Sequence, residues 1–398
     1  MKDSDDRMIT IEEAEGLVMA NAPLCGTEIV SLLSCHGRVL ADDIVSDVDM
    51  PPFNKAAVDG FACRKVDLDK ELLVSETVVA GVAPSVRVSE GTCSRIMTGA
   101  ALPDGADYIV MVEYCEELPG NRVRFIKHGD KNNIAVKGED VRSGDTVLSR
   151  GRVITPHDIA VMASAGASLV SVARRPSVAV ISTGSELVEP SSVPSNAQIR
   201  NSNAYQLLAQ LERAGACGRY YGIAIDDEEI TYKMVASAID ENDMVVLTGG
   251  VSMGDYDFVP AVLKRAGTDI LFDSVAVQPG KPTTFGIADG SVIFGLPGNP
   301  VSSYIIFEIL VRPVIMKMMG CDWRPSVFRS SMGADYKRKR DRRLSYIPVR
   351  TGPEGDVIPV AYHGSAHISA LSLADGLVAI PRGVKELKKG DAVDVRQI

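Results

Sequence analysis

The sequence is poor in the residues that build zinc sites and disulfide frameworks. Its 398 residues include five histidines and seven cysteines, and no two cysteines form a Cys-x-x-Cys pair. The histidines do not fall at metal-ligand spacings either. An odd number of scattered cysteines is typical of reduced thiols in a cytosolic protein. We therefore expect a cytoplasmic protein without structural zinc or disulfides.

The chain also lacks an excess of basic residues and a long uncharged apolar run. Its formal net charge is −10, from 42 basic and 52 acidic residues, which argues against a general nucleic-acid binder. The longest apolar helical pattern, residues 304–319, is interrupted by Glu308, Arg312 and Lys317, so no segment reads as membrane-spanning. The acidic residues 1–10 do not look like a signal peptide. We expect neither nucleic acid nor membrane as a partner.

Two phosphate-binding fingerprints are missing, although glycine-rich loops are present. The sequence has no Gly-x-Gly-x-x-Gly and no Gly-x-x-x-x-Gly-Lys-Ser/Thr, which disfavours a Rossmann dinucleotide site and a P-loop NTPase. Residues 244–257, MVVLTGGVSMGDYD, instead form a buried-strand pattern that runs into a loop with Ser252, Asp255 and Asp257. Such a loop can bind phosphate through N–H and hydroxyl groups, and its carboxylates can hold Mg²⁺. The same loop is also common as a purely structural turn.

Two further stretches have the same design. Residues 178–187, VAVISTGSEL, end in a polar loop with Glu186, and residues 292–303, VIFGLPGNPVSS, lead into a helix with Asn299 as N-cap and Pro300 at its first position. Parallel strands of one sheet present such loops at the same edge. Three of them favour a large phosphate-bearing ligand over a small acid.

The pattern of elements predicts a multidomain α/β plus β protein. Strands alternate with helices between residues 176 and 321, which predicts a doubly wound, mostly parallel sheet. Short strands separated by turn residues precede and follow that region. The predicted domains are a small helical and extended linking domain (1–45 plus 151–175), a β-rich inserted domain (46–150), the α/β domain (176–321) and a C-terminal β-barrel-like domain (322–398).

Together, the motifs resemble one family over nearly the whole chain. They are PPFNKAAVDGFA, IMTGAALPDGADYIVMVE, ISTGSEL, LTGGVSMGDYDFV, PGKPTTFG and GLPGNPVSSYIIFE. In this order they resemble the molybdopterin molybdenumtransferases, the MoeA family, which includes the E domain of gephyrin. The resemblance implies an elongated four-domain subunit that dimerises through its linking domain, with a MogA-like α/β domain. It implies Mg²⁺-dependent hydrolysis of adenylylated molybdopterin, release of AMP and transfer of molybdate to the dithiolene sulfurs.

The resemblance also implies the residues of the site, with loops of the first half facing the α/β site of the partner subunit. The implied catalytic residues are Asp59, Thr98, Asp140, Glu186, Asp257 and Lys281. The implied molybdopterin-binding residues are Thr183, Gly184, Thr248, Gly249, Gly250, Ser252, Pro297, Gly298, Asn299, Pro300 and Ser302. The implied Mg²⁺ ligands are Glu186, Asp226, Asp227 and Asp257.

Two positions depart from the family pattern. The family commonly has lysine before the Pro-Gly-Lys-Pro turn and another basic residue four positions earlier, where this chain has Gln278 and Ser274. Each lost cation would have neutralised phosphate or molybdate charge. We hypothesise that Lys281 and arginines of the basic run 337–343 compensate for them. That run has two further interpretations, a solvated face or a phosphate-facing edge.

Three alternative functions stay open at this stage. The protein could insert tungstate instead of molybdate, because the sequence does not identify the metal. It could be a molybdopterin adenylyltransferase, since residues 176–320 alone resemble the MogA-type domain that performs that reaction. It could also be a molybdopterin-binding scaffold without catalysis. The carboxylates at Asp59 and Asp140, outside the α/β domain, favour metal insertion.

Overall fold

The computed structural model describes residues 8–250, 259–361, 364 and 367–398. The N-terminal segment begins with a helix whose first turn is closed by a capping box. Thr10 Oγ1 accepts from the Glu13 N–H at 3.2 Å, and the Glu13 carboxylate accepts from the Thr10 N–H at 2.7 Å. The first elements are α1 (Ile11–Ala20), β1 (Thr27–Ser31) and β2 (Ile44–Val45).

The inserted region is rich in strands, as the turn-separated pattern predicts. Its strands are β3 (Lys55–Ala56), β4 (Gly60–Cys63), β5 (Leu72–Val78), β6 (Thr92–Ile96), β7 (Tyr108–Met111), β8 (Cys115–Leu118), β9 (Arg122–Phe125), β10 (Ile134–Ala135) and β11 (Thr146–Leu148). Six of them form a sheet in the order β7-β4-β6-β5-β9-β8, in which β5 and β6 are parallel and the other neighbours antiparallel. A short antiparallel pair of β3 with β10 flanks this sheet.

After the inserted region the chain returns to its N-terminal segment. The next elements are α2 (Pro156–Ser164) and β12 (Leu169–Ala173). β12 pairs antiparallel with β1, so that Thr27 lies opposite Ala173, and β11 pairs antiparallel with β2. These pairs join the two segments that the sequence analysis grouped as one linking domain. The domain boundaries themselves stay a prediction.

The α/β region alternates strands and helices from residue 177 onward. Its elements are β13 (Ser177–Thr183), β14 (Leu187–Val188), β15 (Ile199–Arg200), α3 (Asn203–Arg213), β16 (Cys217–Ala224), α4 (Glu228–Glu241), β17 (Met244–Thr248), α5 (Val259–Arg265), β18 (Asp269–Phe272), β19 (Val277–Gln278), β20 (Thr284–Ala288), β21 (Ser291–Leu296), α6 (Pro300–Ile306) and α7 (Arg312–Met318). A π-helical segment, Phe307–Val311, joins α6 to α7 into one continuous helix.

Six strands of this region form a sheet in the order β16-β13-β17-β21-β20-β18. β13, β16, β17 and β21 are mutually parallel, and β20 and β18 are antiparallel additions at one edge. Alternate residues of the central strands enter two different cores, with Val178 and Val246 on one face and Ala179 and Val245 on the other. Helices cover both faces, which confirms the doubly wound, mostly parallel sheet.

The hydrophobic pattern near residues 270–277 predicts a single strand, and this prediction is wrong. The chain forms two strands there, β18 and β19, which belong to two different sheets. Between them Val275 forms a parallel bridge with Ile9, and its N–H donates to the Lys281 carbonyl at 3.0 Å. These tertiary contacts redirect the chain, because an apolar run by itself does not specify which sheet it joins.

The C-terminal region contributes strands to a third six-stranded sheet. The strands of this region are β22 (Val327–Ser331), β23 (Tyr336–Lys337), β24 (Leu344–Thr351), β25 (Val357–Pro359), β26 (Gly376–Ile380), β27 (Glu386–Leu387) and β28 (Ala392–Gln397), of which β23 and β27 form a separate pair. The order is β19-β24-β26-β28-β22, with β25 on β24. A bridge from Met332, after β22, to Val357 in β25 returns the sheet to its start, which makes the region barrel-like. β19 of the α/β region joins this sheet by pairing in parallel with β24.

Candidate functional site

The carboxyl ends of β13, β17 and β21 open into a polar cleft of about 490 Å³. Three loops predicted from the sequence to share one sheet edge meet there, as expected where ligands bind to an open α/β sheet. The cleft is lined by Ser182, Thr183, Gly184, Glu186, Leu187, Ile199, Arg200, Asn201, Ser202, Asn203, Asp226, Thr248, Gly249, Gly250, Pro282, Pro297, Gly298, Asn299 and Pro300.

The loop after β17 needs glycine at Gly249, where it passes close to Thr183 at the end of β13. Gly249 has φ +96°, and a Cβ atom there would lie 2.5 Å from the Thr183 carbonyl oxygen. No side chain fits at that distance, so the backbone of the two loops can approach each other only without one. Thr183 and Thr248 line the cleft but are almost wholly buried. Ser252 and Asp257, which the sequence analysis places in the same loop, lie outside the described residues.

The loop after β21 contributes backbone rather than hydroxyl groups. Pro297, Gly298, Asn299 and Pro300 line the cleft, and α6 begins at Pro300 as predicted. Ser302, which was expected to bind the ligand, is buried and is not part of the cleft lining. It lies in the first turn of α6, and its role in ligand binding stays a prediction.

One side chain that braces these loops escaped the sequence analysis. The Asn203 amide nitrogen donates to Thr248 Oγ1 at 2.8 Å and to the Gly298 carbonyl at 2.8 Å. Asn203 thus holds the ends of β17 and β21 together from the start of α3. The signal was present in the sequence as the Asn-Ser-Asn run at 201–203, directly before a helical pattern. Asparagine at a helix start is typical of capping, so the run by itself did not indicate a site.

Two of the predicted metal ligands face the cleft and one does not. Glu186 and Asp226 line it, whereas the Asp227 carboxylate accepts from the Ile230 N–H at 2.8 Å and caps α4. Within residues 8–250, 259–361, 364 and 367–398, no three His, Cys, Asp or Glu side chains are grouped so as to hold a metal ion. Two hard carboxylates do fit Mg²⁺, which binds through one or two protein carboxylates and completes its shell with water and substrate phosphate.

The cation of the cleft is a residue that the sequence analysis did not consider. Arg200 is the one basic side chain among the described residues that line it. Lys281 is half-buried and is absent from the lining, and its carbonyl accepts from the Val275 and Thr283 N–H groups. Gln278 lies in β19 and pairs with β24, on the side of the α/β region that meets the C-terminal sheet.

The basic run 337–343 is partly committed to the C-terminal sheet. Arg338 is buried, and its guanidinium donates to the carbonyls of Val384, Arg343 and Pro381. It therefore fixes a turn of the C-terminal region rather than facing an anion. Arg343 Nη1 donates to the Val277 carbonyl at 3.2 Å, next to Gln278. The hypothesis that this run and Lys281 replace the missing lysines stays a prediction.

The first predicted pair outside the α/β region is in direct contact. The Asp59 carboxylate accepts from the Thr98 N–H at 2.6 Å and from the Thr98 hydroxyl at 2.5 Å. The hydroxyl and then the main-chain bond lower the pKa of Asp59, since both bonds favour the charged form. Both residues are exposed. The pair therefore presents an oriented carboxylate with a lowered pKa at the surface of the β-rich region.

Asp140 lies in a second, separate pocket of about 710 Å³. This pocket is lined by Val48, Asp49, Met50, Pro51, Pro52, Lys55, Glu139, Asp140 and Ser164. None of these residues lines the α/β cleft, and none of the cleft residues lines this pocket. Within one chain, the predicted site residues therefore form an α/β group and a β-region group. Among the described residues, no helix combines the length and the apolar composition that a membrane-spanning segment needs.

The two groups lie in segments that match different family models. Residues 9–166 match the family described as "MoeA N-terminal region (domain I and II)". Residues 179–317 match "Probable molybdopterin binding domain", and residues 330–398 match "MoeA C-terminal region (domain IV)". The cleft lies within the second of these segments and the Asp59 and Asp140 groups within the first.

Individual relatives match over nearly the whole length. A molybdopterin molybdenumtransferase of Staphylococcus aureus (strain Mu50) is 36% identical over 376 residues, which cover 92% of this chain and 90% of the relative. One of Staphylococcus epidermidis (strain ATCC 12228) is 35% identical over 399 residues, covering 97% and 95%. The crystal structure of the molybdopterin biosynthesis MoeA protein from Pyrococcus horikoshii OT3 is 29% identical and superposes with a TM-score of 0.87, covering 98% and 100%. The chain belongs to the MoeA family of molybdopterin molybdenumtransferases, transferases of molybdenum cofactor biosynthesis.

Proposed function

We propose that the protein binds adenylylated molybdopterin in the α/β cleft, releases AMP and inserts molybdate into the pterin dithiolene. The observation that carries this proposal is the cleft itself, in which residues of three loops, with two carboxylates and one guanidinium, converge. Its volume of about 490 Å³ lies within the usual range of ligand pockets. A pterin joined to a nucleotide is larger than most ligands, so we expect it to extend from the cleft toward a second surface.

We infer that Mg²⁺ binds between the ligand and the carboxylates of Glu186 and Asp226. When bound, Mg²⁺ would neutralise charge on the phosphoanhydride. The protein's own contribution is to hold these carboxylates at the mouth of the cleft. The Asp226 carboxylate is fixed by the Ser185 N–H at 3.0 Å, and the Asp226 N–H donates to Ser185 Oγ at 2.9 Å. Asp257 is a third candidate that lies outside the described residues.

We infer that the second surface is supplied by another copy of the chain. The β-region group at Asp59, Thr98 and Asp140 is separate from the α/β cleft of its own subunit. The linking region exposes large apolar side chains, with Leu33 at 91% and Leu169 at 66% exposure. Such a surface favours association. A homodimer that buries it would let the group of one subunit face the cleft of the other.

In this arrangement the chain's residues have distinct tasks. Thr98 orients the Asp59 carboxylate and lowers its pKa through its two hydrogen bonds. Asp140, which is exposed in its pocket, is available to orient water for attack on the phosphoanhydride. Lys281 does not line the cleft but directly precedes Pro282, which does, so we assign it the task of supplying positive charge from behind the lining. We place the reaction in the cytoplasm, since all seven cysteines are free thiols in a chain without disulfides.

A second candidate is molybdopterin adenylyltransferase activity. It is favoured by one observation, that every residue of the cleft lining lies between residues 182 and 300, in the segment that matches the molybdopterin-binding domain. An adenylyltransferase would make the phosphoanhydride from ATP and release pyrophosphate, whereas the insertion enzyme breaks it and releases AMP. The released group therefore distinguishes the two reactions.

The test is a single-turnover incubation of the purified protein with adenylylated molybdopterin and Mg²⁺. Parallel reactions contain molybdate, tungstate or neither oxyanion, and both AMP and metal-bound cofactor are measured. We expect the oxyanion to stimulate AMP release together with cofactor formation, and the more effective oxyanion identifies the metal. Asp140→Asn should abolish AMP release, while Asp42→Asn, an exposed carboxylate outside both pockets, should not. Pterin binding without AMP release in any reaction would contradict the proposal and indicate a scaffold.

A further inference from the structure

We propose that Arg200 binds the phosphate of the pterin substrate and that Glu189 positions Arg200 for this contact. This inference rests on the proposed function, since it assigns a residue to the same cleft. It adds a phosphate-binding cation and a residue that positions this cation, neither of which the family motifs indicate.

Arg200 has the placement of an anion-binding residue. It lies in β15, is exposed, and is the one cation among the described residues lining the cleft. Its Nε donates to the Ser192 carbonyl at 3.0 Å, which fixes the plane of the guanidinium. In the part of the chain that the structure describes, no carboxylate forms an ion pair with Arg200. Its two terminal nitrogens are therefore available for an anion.

The strand pair β14–β15, which carries Arg200, is fixed by hydrogen bonds to the Glu189 carboxylate. We call Glu189, Tyr205 and Tyr220 the clamp. Glu189 directly follows β14, where Val188 pairs with Arg200. The Tyr220 hydroxyl donates to Glu189 Oε1 at 2.6 Å, and the Tyr205 hydroxyl donates to Oε2 at 2.8 Å. One carboxylate thus anchors the β14–β15 ribbon to β16 and to α3 at the same time.

Asn201 connects the clamp to the edge of the sheet through hydrogen bonds. The Asn201 N–H donates to the Val188 carbonyl at 2.8 Å, and its amide nitrogen donates to the Tyr220 hydroxyl at 2.9 Å. Its amide oxygen lies 3.0 Å from Ser182 Oγ, at the end of β13. The residue next to Arg200 is therefore tied both to the clamp and to the cleft. A small loss of clamp contacts should displace Arg200 rather than unfold the region.

The chemistry of the cleft indicates what Arg200 contacts. Its two carboxylates, Glu186 and Asp226, repel an anion unless a metal ion lies between. The guanidinium offers two parallel N–H donors to the oxygens of a phosphate, and this charge-assisted pairing is among the stronger polar contacts in proteins. A phosphate monoester or phosphoanhydride on the pterin side chain is the anionic group that such a ligand would bring.

The probe for this inference is the fluorescent oxidation product of molybdopterin, with its phosphate and after phosphatase treatment. Binding of each form to the full-length protein is measured by fluorescence titration. We expect the wild-type protein to bind the phosphorylated form more tightly. Arg200→Gln should weaken binding of the phosphorylated form about tenfold to a hundredfold and leave the dephosphorylated form unchanged. The affinity of Arg200→Lys for the phosphorylated form should lie between those of the wild-type protein and Arg200→Gln, because a lysine retains the charge but not the paired donors.

The control is Arg219→Gln, which removes another exposed arginine, from β16 outside the cleft, and should change neither affinity. Glu189→Gln and Tyr220→Phe test the clamp. Both should reduce the preference for the phosphorylated form by a smaller factor than Arg200→Gln, with little effect on the dephosphorylated form.

The outcomes separate this inference from the proposed function. Equal wild-type affinity for the two forms, or a full preference retained in Arg200→Gln, would overturn the role of Arg200 and leave the pterin cleft intact. An unchanged preference in both Glu189→Gln and Tyr220→Phe would overturn the clamp. Failure of the wild-type protein to bind either pterin would overturn the proposed function, and this inference with it.

Discussion

The Asp59 carboxylate accepts both hydrogen bonds that Thr98 can donate, from the main-chain N–H at 2.6 Å and from the hydroxyl at 2.5 Å. The two residues are 39 positions apart in the sequence and belong to different loops of the β-rich region. The contact orients one exposed carboxylate of this region and lowers its pKa.

The first prediction concerns this pair. Thr98→Val removes the hydroxyl that contributes most to the lowered pKa of Asp59, so the pKa should rise toward the ordinary value of an aspartate. NMR titration of the carboxyl carbon in the two proteins measures the change. Thr77→Val, an exposed threonine of β5, should leave the pKa of Asp59 where it is. An unshifted pKa of Asp59 in Thr98→Val would show that the main-chain bond alone holds it.

The second prediction concerns the close approach of two loops in the cleft. Gly249→Ala forces an alanine into φ +96° and places its Cβ 2.5 Å from the Thr183 carbonyl oxygen. Gly267→Ala is a matched control, since Gly267 has φ +81° and nothing within 4 Å of the added Cβ. Positive φ costs alanine about 1–2 kcal/mol at either position. We expect Gly249→Ala to reduce pterin affinity and the melting temperature more than Gly267→Ala does, as measured by fluorescence titration and thermal unfolding. Equal effects of the two substitutions would mean that the loops can move apart to accept the Cβ atom without losing stability.

The third prediction concerns a buried carboxylate in the π-helical segment. Glu308 is fully buried and accepts hydrogen bonds from Gln210 at 2.7 Å, from Arg312 at 3.0 Å and from Arg213. Glu308→Ala leaves these donors without their acceptor. Removing one member of a buried ion pair typically costs about 3–5 kcal/mol, so the free energy of unfolding of this region should fall by that order.

The single tryptophan reports on this change, because Arg312 lies 4.5 Å from the Trp323 ring centroid. Urea unfolding followed by tryptophan fluorescence should give a lower midpoint for Glu308→Ala. The control Glu212→Ala removes an exposed carboxylate from α3 and should leave the midpoint unchanged. A loss below about 1 kcal/mol in Glu308→Ala would indicate that water enters and solvates the arginines.

The fourth prediction concerns pH. Burial by itself would raise the pKa of Asp243, but hydrogen bonds from Arg174 and Ser177 outweigh it and lower the pKa to about 2. The folded-state pKa lies below the unfolded value of about 4. The contribution to stability is therefore fully present above about pH 4 and is lost as the pH falls toward 2.

Asp243→Asn should accordingly lower the melting temperature at pH 7 and not at pH 2. The free-energy loss at pH 7 is on the order of 1 kcal/mol, because the pair is partly exposed and screened by solvent. Asp240→Asn, an exposed carboxylate nearby in α4, should show no such pH-dependent difference. A difference from wild type that persists at pH 2 would assign the effect to packing instead.

Much of the architecture was predictable from the sequence because its signals are local. The capping box of α1, the Pro300 start of α6 and the apolar runs of β13, β17 and β21 each depend on residues within a few positions of one another. The convergence of three loops followed from the rule that parallel strands end at one edge. The six motifs added the family, because their order along the chain is specific where each alone is not.

The positions that the sequence analysis missed depend on distant contacts. Arg200 became a cleft residue only because β15 lies beside β14 and the ribbon is clamped to Tyr220. Asn203 reaches Thr248 and Gly298 across 45 and 95 residues. No periodicity or spacing carries such information.

The sequence by itself determined the kinds of elements, the doubly wound sheet and the family of this protein, since these follow from hydrophobic periodicity, caps and ordered motifs. Only the tertiary structure decided which polar side chains face the cleft. It brought Glu186, Asp226 and Arg200 to one edge, turned Asp227 to the cap of α4, and separated Asp140 into a second pocket. The reason is physical: a side chain's role depends on which groups desolvate it and bond to it, and those groups come from distant parts of the chain.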